Sequence, residues 1–100
     1  MYVRIWAFEI KNEVGARFEE LYGPVGAWAQ LFQRAPGHVR TELLKDRGLP
    51  GRYLTCDYWR SLETYTAFQA QWKNEFDALD RECEALTLRE TYVGEFNLLA

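Results

Sequence analysis

The sequence predicts one α+β domain in which four strands and two helices follow the order β-α-β-β-α-β. Its 100 residues are the length of one ordinary domain. Hydrophobic residues make up 48% of the chain and charged residues 27%, which is typical of a folded core and not of a disordered chain. The spacing of apolar residues also changes along the chain between that of a strand and that of a helix. We therefore expect a single domain over residues 1–100.

The first strand and the first helix are predicted from the N-terminal third of the chain. Residues 2–10 are dense in β-branched and aromatic types on both alternating sides, which predicts a strand covered on both faces. From Val14 to Phe32 the apolar residues recur at the spacing of one helix face. Proline removes a backbone donor and clashes with the preceding turn, so Gly23-Pro24 should divide this helix into two pieces.

A hairpin and a second helix are predicted next. His38–Lys45 and Arg52–Arg60 have the composition of strands, and residues 46–51 between them are turn-forming types. Ser61 is suited to cap a helix, and apolar side chains then recur in alternating steps of three and four up to Leu86. The hairpin therefore supplies strands two and three. The second helix is expected to be continuous, with its apolar stripe facing the sheet.

The last strand is predicted at Thr87–Phe96, with Tyr92 and Phe96 on the same side. The complete order is the split βαβ, or ferredoxin-like, arrangement, in which two helices cover one face of a four-stranded antiparallel sheet. The other face would carry large apolar side chains from strands one, three and four, an area too large for a soluble monomer to leave in water. We therefore expect a homodimer formed by sheet-to-sheet packing.

Charge and hydropathy exclude several classes of partner. The net charge of −3 argues against nucleic acid as a partner, because proteins that bind phosphate backbones concentrate Lys and Arg on one face. The N-terminus has no secretory-signal pattern, and no segment approaches the roughly 18 apolar residues of a membrane span. We expect a cytoplasmic protein that does not bind membranes.

Cysteine and histidine content exclude a zinc site. Cys56 and Cys83 lack a secretory context, so we expect two reduced, buried thiols. One histidine and no Cys-x-x-Cys pair leave too few soft ligands for zinc, and the chain has no glycine-rich phosphate loop. We therefore expect no metal and no cofactor.

Several segments resemble the antibiotic biosynthesis monooxygenase family. They are residues 22–37 (YGPVGAWAQLFQRAPG), Leu43-Leu44, the strand from Tyr53 to Trp59, and the helix entry Ser61-Leu62-Glu63. The resemblance implies a dimeric α/β barrel with a pocket in each subunit between helices and sheet. The family includes cofactor-free oxygenases that turn aromatic polyketides into quinones, haem-degrading enzymes and proteins without known activity.

The resemblance also implies roles for three residues. Polyketide oxygenases carry an Asn four residues before the strand-three Trp, and this chain has Thr55 before Trp59, whose hydroxyl is shorter and donates only one hydrogen bond. Trp59 is then either a core anchor or the wall of a pocket for a flat aromatic ring. Tyr65 matches a substrate-contacting tyrosine of those enzymes and also falls on the apolar stripe of the second helix. Haem degradation is not expected, because the second helix has no His and strand one has no Asn.

Two titratable residues are candidates for a catalytic base. Asp57 shares its side of strand three with Thr55 and Trp59, so its carboxylate either reaches solvent, pairs with an arginine, or has a raised pKa suited to proton transfer. His38 begins strand two, where it is either a surface histidine or a base that acts near neutral pH.

The resemblance implies a cofactor-independent monooxygenase-like protein that acts on or binds a small flat aromatic such as a phenol, a quinol or a polyketide. Asp57 or His38 would be the base, and Trp59, Tyr65 and Thr55 would contact the substrate. The missing Asn favours the alternative, a non-catalytic homodimer that binds a small ligand or has a structural role.

Overall fold

The computed structural model describes residues 1–99 and arranges them as four strands and four short helices. The strands are β1 (Tyr2–Glu9), β2 (His38–Lys45), β3 (Arg52–Trp59) and β4 (Arg89–Asn97). The helices are α1 (Gly15–Tyr22), α2 (Ala27–Phe32), α3 (Leu62–Gln71) and α4 (Lys73–Cys83). Single 3-10 turns precede α1 and follow α4.

The four strands form one antiparallel sheet in the order β2-β3-β1-β4. This order is that of the ferredoxin-like fold, so the α+β class predicted from the sequence is confirmed. β1 and β3 are the two central strands and pair along their whole length, from Tyr2 opposite Trp59 to Glu9 opposite Arg52. The middle of the sheet is therefore built from the two segments that the sequence marks as most apolar.

Both predicted helices are divided in two. Gly23-Pro24 separates α1 from α2, as the proline predicts. The single helix expected from Leu62 to Leu86 was wrong, because the backbone at Trp72 leaves the helical conformation (φ −112°, ψ 26°) and separates α3 from α4. No proline or glycine marks that position. The N-terminus of α3 is capped as predicted, with Ser61 Oγ accepting from the Thr64 amide at 3.2 Å.

All four helices lie on one face of the sheet, over an aromatic core. Phe18 of α1 packs on Tyr53 of β3 with ring centroids 4.8 Å apart, and Phe68 of α3 packs on Trp59 at 5.2 Å. Phe18, Trp59 and Phe68 are almost completely buried. Rings of this size bury about 150–250 Å² each, so these contacts account for most of the attachment of the helices to the sheet.

A bulge in β4 changes which face its side chains occupy. Tyr92 pairs with Trp6 and Gly94 pairs with Ile5, so Val93 is an extra residue without a partner on β1. Gly94 has φ +148°, a conformation that residues with a Cβ rarely adopt. Tyr92 therefore faces the helices and Phe96 faces away, and the expectation that they share one side of the strand was wrong.

The face of the sheet without helices carries exposed apolar side chains. Leu44 of β2 and Phe96 of β4 are 49% and 47% exposed on this face. Cys56 points to the same face and Cys83 lies at the end of α4; both are buried free thiols, as predicted. None of the helices in residues 1–99 combines the length and the apolar character needed to cross a membrane.

Candidate functional site

A cavity of about 400 Å³ lies between the helix-covered face of the sheet and the helices. Its size is within the range of small-molecule sites. Four of the five residues that the sequence singled out line it: Thr55, Asp57, Trp59 and Tyr65. His38, which the sequence analysis also proposed as a base, does not line it, so the structure brings the β3 row and the helix tyrosine together at this site but not the histidine.

A row of polar side chains crosses the sheet at one end of the cavity. Asp57 of β3 pairs with Thr41 of β2 on one side and with Arg4 of β1 on the other, and Arg4 pairs with Glu95 of β4. Side chains at paired positions point to the same face of a sheet. The antiparallel register therefore collects a hydroxyl, a carboxyl, a guanidinium and a second carboxyl in one row across four strands, of which Thr41, Asp57 and Arg4 line the cavity.

Asp57 is the buried carboxyl of this row. It is 9% exposed, and its Oδ1 accepts a hydrogen bond from Thr41 Oγ1 at 2.7 Å. Burial disfavours the charged form and raises the pKa of Asp57 to about 6, against opposing contributions from the Thr41 hydrogen bond and the positive charge of Arg4. Within residues 1–99 no basic group lies within 4 Å of the carboxylate. Asp57 is therefore a buried carboxyl with a raised pKa and not an ion-paired surface residue.

His38 contacts this row through Thr41. His38 Nε2 lies 3.0 Å from Thr41 Oγ1. The Thr41 hydroxyl has one proton and donates it to Asp57, so Nε2 donates to the hydroxyl and Nδ1 carries the lone pair. Burial lowers the pKa of His38, which favours this neutral form. The histidine thus orients Thr41, and through it Asp57, without facing the cavity.

Trp59 and Tyr65 form an aromatic wall beside Asp57. Their rings meet edge to face with centroids 5.3 Å apart, and Trp59 has the same relation to His38 at 5.2 Å. Trp59 is fully buried and lines the cavity, so the core and pocket-wall interpretations both describe it. The Tyr65 hydroxyl accepts a hydrogen bond from Gln69, and burial raises the pKa of this phenol. A flat ring beside these two side chains would have aromatic partners at favourable angles.

Sequence reasoning missed Arg4 and Thr41. The two-residue period of β1 places Arg4 between Tyr2 and Trp6 in a row that faces the helices, which is the same signal that identified Asp57. Arg4 could therefore have been identified from the sequence, as a charged residue between two aromatic residues on the same side of β1. Thr41 was not, because its proximity to Asp57 depends on the register between β2 and β3.

The opposite end of the cavity is acidic and aromatic. Phe8 of β1 pairs with Glu90 of β4, and Asp80 of α4 lines the cavity at the same end. Partial burial raises the pKa of Glu90, and the nearby Asp80 carboxylate adds to this. Phe8 is four residues along β1 from Arg4, so the two ends are about 13 Å apart.

Solved structures with the same fold include oxygenases of low sequence identity. A single-substitution variant of SnoaB, a cofactor-independent oxygenase of Streptomyces nogalater, superposes with a TM-score of 0.78 over 97% of this chain and 91% of that chain, at 24% identity. A candidate antibiotic biosynthesis monooxygenase of Deinococcus radiodurans gives a TM-score of 0.74 at 18% identity, over 100% of this chain and 94% of that chain. At these identities the similarity concerns the fold alone. No curated protein sequence matches the chain.

The sequence also matches a family model directly. The model described as antibiotic biosynthesis monooxygenase matches residues 1–77, which include β1 to β3, α3 and the Asp57, Trp59 and Tyr65 side of the cavity. The match spans more than half of the chain. The chain therefore belongs to the antibiotic biosynthesis monooxygenase family.

Proposed function

We propose that this protein oxidises a small, flat, electron-rich aromatic with O₂ in the cavity between sheet and helices, with Asp57 as the base. The proposed substrate class comprises phenols, quinols and aromatic polyketides. The observation that carries the proposal is a buried carboxyl in the cavity lining, without an ion pair in residues 1–99 and with its pKa raised to about 6. A base with a pKa close to the operating pH is both ionised and able to hold a proton.

The proposed chemistry begins with proton transfer from a substrate hydroxyl or an acidic ring carbon to the Asp57 carboxylate. The resulting anion is electron-rich enough to give an electron to O₂, and the two radicals then combine at carbon. Loss of water from the peroxide leaves a new carbonyl group. One oxygen atom of O₂ enters the product and the other leaves as water. The proton held by Asp57 returns to the peroxide, and the second hydrogen of that water is lost from the ring carbon, so the substrate is the only reductant.

Thr41 and His38 would position the base. Thr41 holds Oδ1 of Asp57, which leaves Oδ2 as the oxygen to accept the substrate proton. His38 fixes the direction of the Thr41 hydroxyl. In this proposal His38 is a positioning residue and Asp57 is the catalytic residue.

Trp59 and Tyr65 would hold the substrate ring, and Thr55 would contact a substrate oxygen. Thr55 is 5% exposed and lines the cavity directly opposite Trp6 in the register of β1 and β3. Its hydroxyl offers one donor where a carboxamide would offer two donors and an acceptor. We therefore expect slower turnover than an enzyme with Asn at this position.

We further propose that the protein is a homodimer joined through the sheet face that carries Leu44 and Phe96. Leu44 and Phe96 lie on the two edge strands and are each about half exposed, and Ile5, Leu54 and Tyr58 on the same face between them are partly exposed. A soluble chain rarely leaves so many large apolar side chains of one face in water. An isologous contact between two such faces would cover them.

A second candidate function is ligand binding without catalysis. The observation that favours it is Thr55, which occupies the position of the Asn used by the polyketide oxygenases that the sequence resembles. The open cavity supports ligand binding in either case, and it does not favour a purely structural role.

The test is oxygen uptake by the purified protein with a panel of phenols, quinols and anthrone-type polycyclic aromatics, compared with Asp57→Asn. Removal of a positioned general base should lower the rate by about a hundredfold or more. Asp77→Asn is the matched control, because Asp77 is a surface carboxylate of α4 paired with Lys73 and should not affect the rate. Binding of these compounds without oxygen uptake would favour the second candidate, and uptake that Asp57→Asn leaves unchanged would contradict the assignment of the base.

A further inference from the structure

Arg4 is a partly buried cation in the cavity lining, and the proposed proton transfer to Asp57 does not use it. Its guanidinium carbon lies 4.2 Å from the centroid of the Tyr65 ring and 4.8 Å from that of Tyr92. The Arg4 side chain is 18% exposed. Stacking on two rings holds the guanidinium plane in one orientation at the edge of the aromatic wall.

The hydrogen bonds of Arg4 leave most of its donors unused. Nη1 donates to the Tyr2 hydroxyl at 3.0 Å and lies 3.6 Å from Glu95 Oε2. Within residues 1–99 the guanidinium makes no polar contacts besides these two. A guanidinium has five N–H donors arranged as a planar fork, so Nη2 and Nε remain available to a ligand.

Arg4 and Asp57 are register partners on adjacent strands, yet no ion pair within 4 Å joins them in residues 1–99. Adjacent opposite charges on a sheet face usually pair. Here the Asp57 carboxyl turns to Thr41 and the Arg4 guanidinium turns to Tyr2, and both line the cavity. The guanidinium is therefore not neutralised by Asp57 and can pair with a group of the ligand.

The charge inventory of the cavity fixes what that group can be. Arg4 is the one basic residue of the described lining, whereas Asp57, Asp80 and Glu90 are acidic. The single guanidinium can pair with one carboxylate of a ligand, whereas the three carboxyl groups of the lining would repel a dianionic phosphate ester more strongly. A carboxylate matches the planar fork of a guanidinium with two parallel hydrogen bonds. The opposite end of the cavity, which carries Asp80 and Glu90 about 13 Å away, would repel a carboxylate.

We infer that Arg4 selects aromatic ligands that carry a carboxylate, and that it holds this carboxylate at the Asp57 end of the cavity with the apolar rings extending toward Phe8 and Phe76. The inference rests on the proposed function for the identity of the cavity as the ligand site. It adds the charge of the ligand and its direction in the cavity. Arg4 is then a specificity residue and takes no part in proton transfer.

The test uses 2-naphthoate and its neutral analogue 2-naphthamide, which have the same ring system and nearly the same shape. Calorimetric titration of the wild-type protein should give about tenfold or more tighter binding of 2-naphthoate, because hydrogen bonds between charged partners are the stronger kind. Arg4→Gln should abolish this preference and leave 2-naphthamide binding within about threefold of the wild type. Equal binding of the two compounds by the wild type, or an unchanged preference in Arg4→Gln, would overturn the inference.

Glu95→Gln is a second variant that keeps Arg4. Glu95 is about half exposed and its carboxylate competes for the guanidinium from outside the cavity lining. Its neutralisation should maintain or increase the preference for 2-naphthoate, even if Arg4→Gln does not fold. A lost preference in Glu95→Gln would overturn the inference.

The outcomes separate this inference from the proposed function. Failure of both naphthalene compounds to bind, together with no oxygen uptake from any substrate of the panel, would reject the cavity as an aromatic site and both proposals with it. Equal binding of the two compounds with intact oxygen uptake would reject the role of Arg4 alone. A preference for 2-naphthoate without oxygen uptake from any substrate would support the role of Arg4 and reject the oxygenase.

Discussion

Thr41 Oγ1 donates a 2.7 Å hydrogen bond to Oδ1 of Asp57, and this bond links the central strand β3 to the edge strand β2 at the wall of the cavity. Within residues 1–99 the side chain of Asp57 makes this one hydrogen bond. The hydrogen bond holds the carboxyl in one orientation, but it offsets only part of the desolvation of the carboxylate. This combination explains why its pKa is raised and not lowered.

The first prediction concerns the stability cost of Asp57. Its folded-state pKa of about 6 lies above the ordinary value of 3.8. The native state therefore binds more protons between these pH values, and the free energy of unfolding falls as the pH rises through that window. Asp57→Asn keeps an acceptor for Thr41 and removes the buried charge. At about pH 7.5 it should raise the free energy of unfolding by about 2 to 3 kcal/mol.

Urea denaturation at several pH values measures this effect. The advantage of Asp57→Asn should shrink as the pH falls and disappear at about pH 3, below both pKa values, where Asp57 is protonated in both states. A variant that is less stable than the wild type at neutral pH would mean that the Asp57 charge is well compensated, contrary to the geometry described above.

The second prediction concerns Thr41→Val. The Thr41 hydrogen bond stabilises the charged form of Asp57 and lowers its pKa, so its loss should move the pKa of Asp57 upward from about 6. The ¹³C chemical shift of the Asp57 carboxyl, followed by NMR across a pH titration, reports this directly. Thr66→Val is the control, because Thr66 bonds to the Leu62 carbonyl on the exposed side of α3. A pKa that falls or does not move in Thr41→Val would be inconsistent with the account.

The third prediction concerns Thr55→Asn. If the cavity carries out oxygenase chemistry, the added carboxamide donor should raise the turnover of a dihydroxy-aromatic substrate by about a hundredfold or more, because one positioned donor is typically worth that much. Thr55→Val, which has nearly the same shape as threonine, should lower the rate. Steady-state oxygen uptake checks both. Equal rates for all three proteins would show that position 55 does not contact a reacting oxygen.

The fourth prediction concerns the homodimer. Phe96→Glu introduces a charge on the helix-free face of the sheet and should convert the dimer to a monomer in light scattering at micromolar concentration. Val25→Glu is the control, because Val25 is 81% exposed in the loop between α1 and α2, away from that face. A wild-type protein that is already monomeric would contradict the proposal.

The sequence predicted the strands closely because hydrophobic period and turn chemistry are local signals. β2 and β3 begin where the sequence predicts, on either side of a hairpin. The break at Trp72 and the bulge at Val93 were missed, because each depends on how a strand or helix fits against its neighbours. The same distinction applies to the site. The two-residue period placed Asp57 and Trp59 together, but only the pairing of β2 with β3 brings Thr41 to Asp57.

The central claim, that Asp57 is the base of an aromatic-oxidising site, is tested most directly by the pH dependence of kcat/KM for oxygen uptake with the best substrate of the panel. A base must be ionised to accept a proton, so kcat/KM should rise with pH and level off above an apparent pKa of about 6, which is that of Asp57. This rise should be absent from any residual activity of Asp57→Asn. A profile that is flat around pH 6, or one that Asp57→Asn reproduces, would contradict the account.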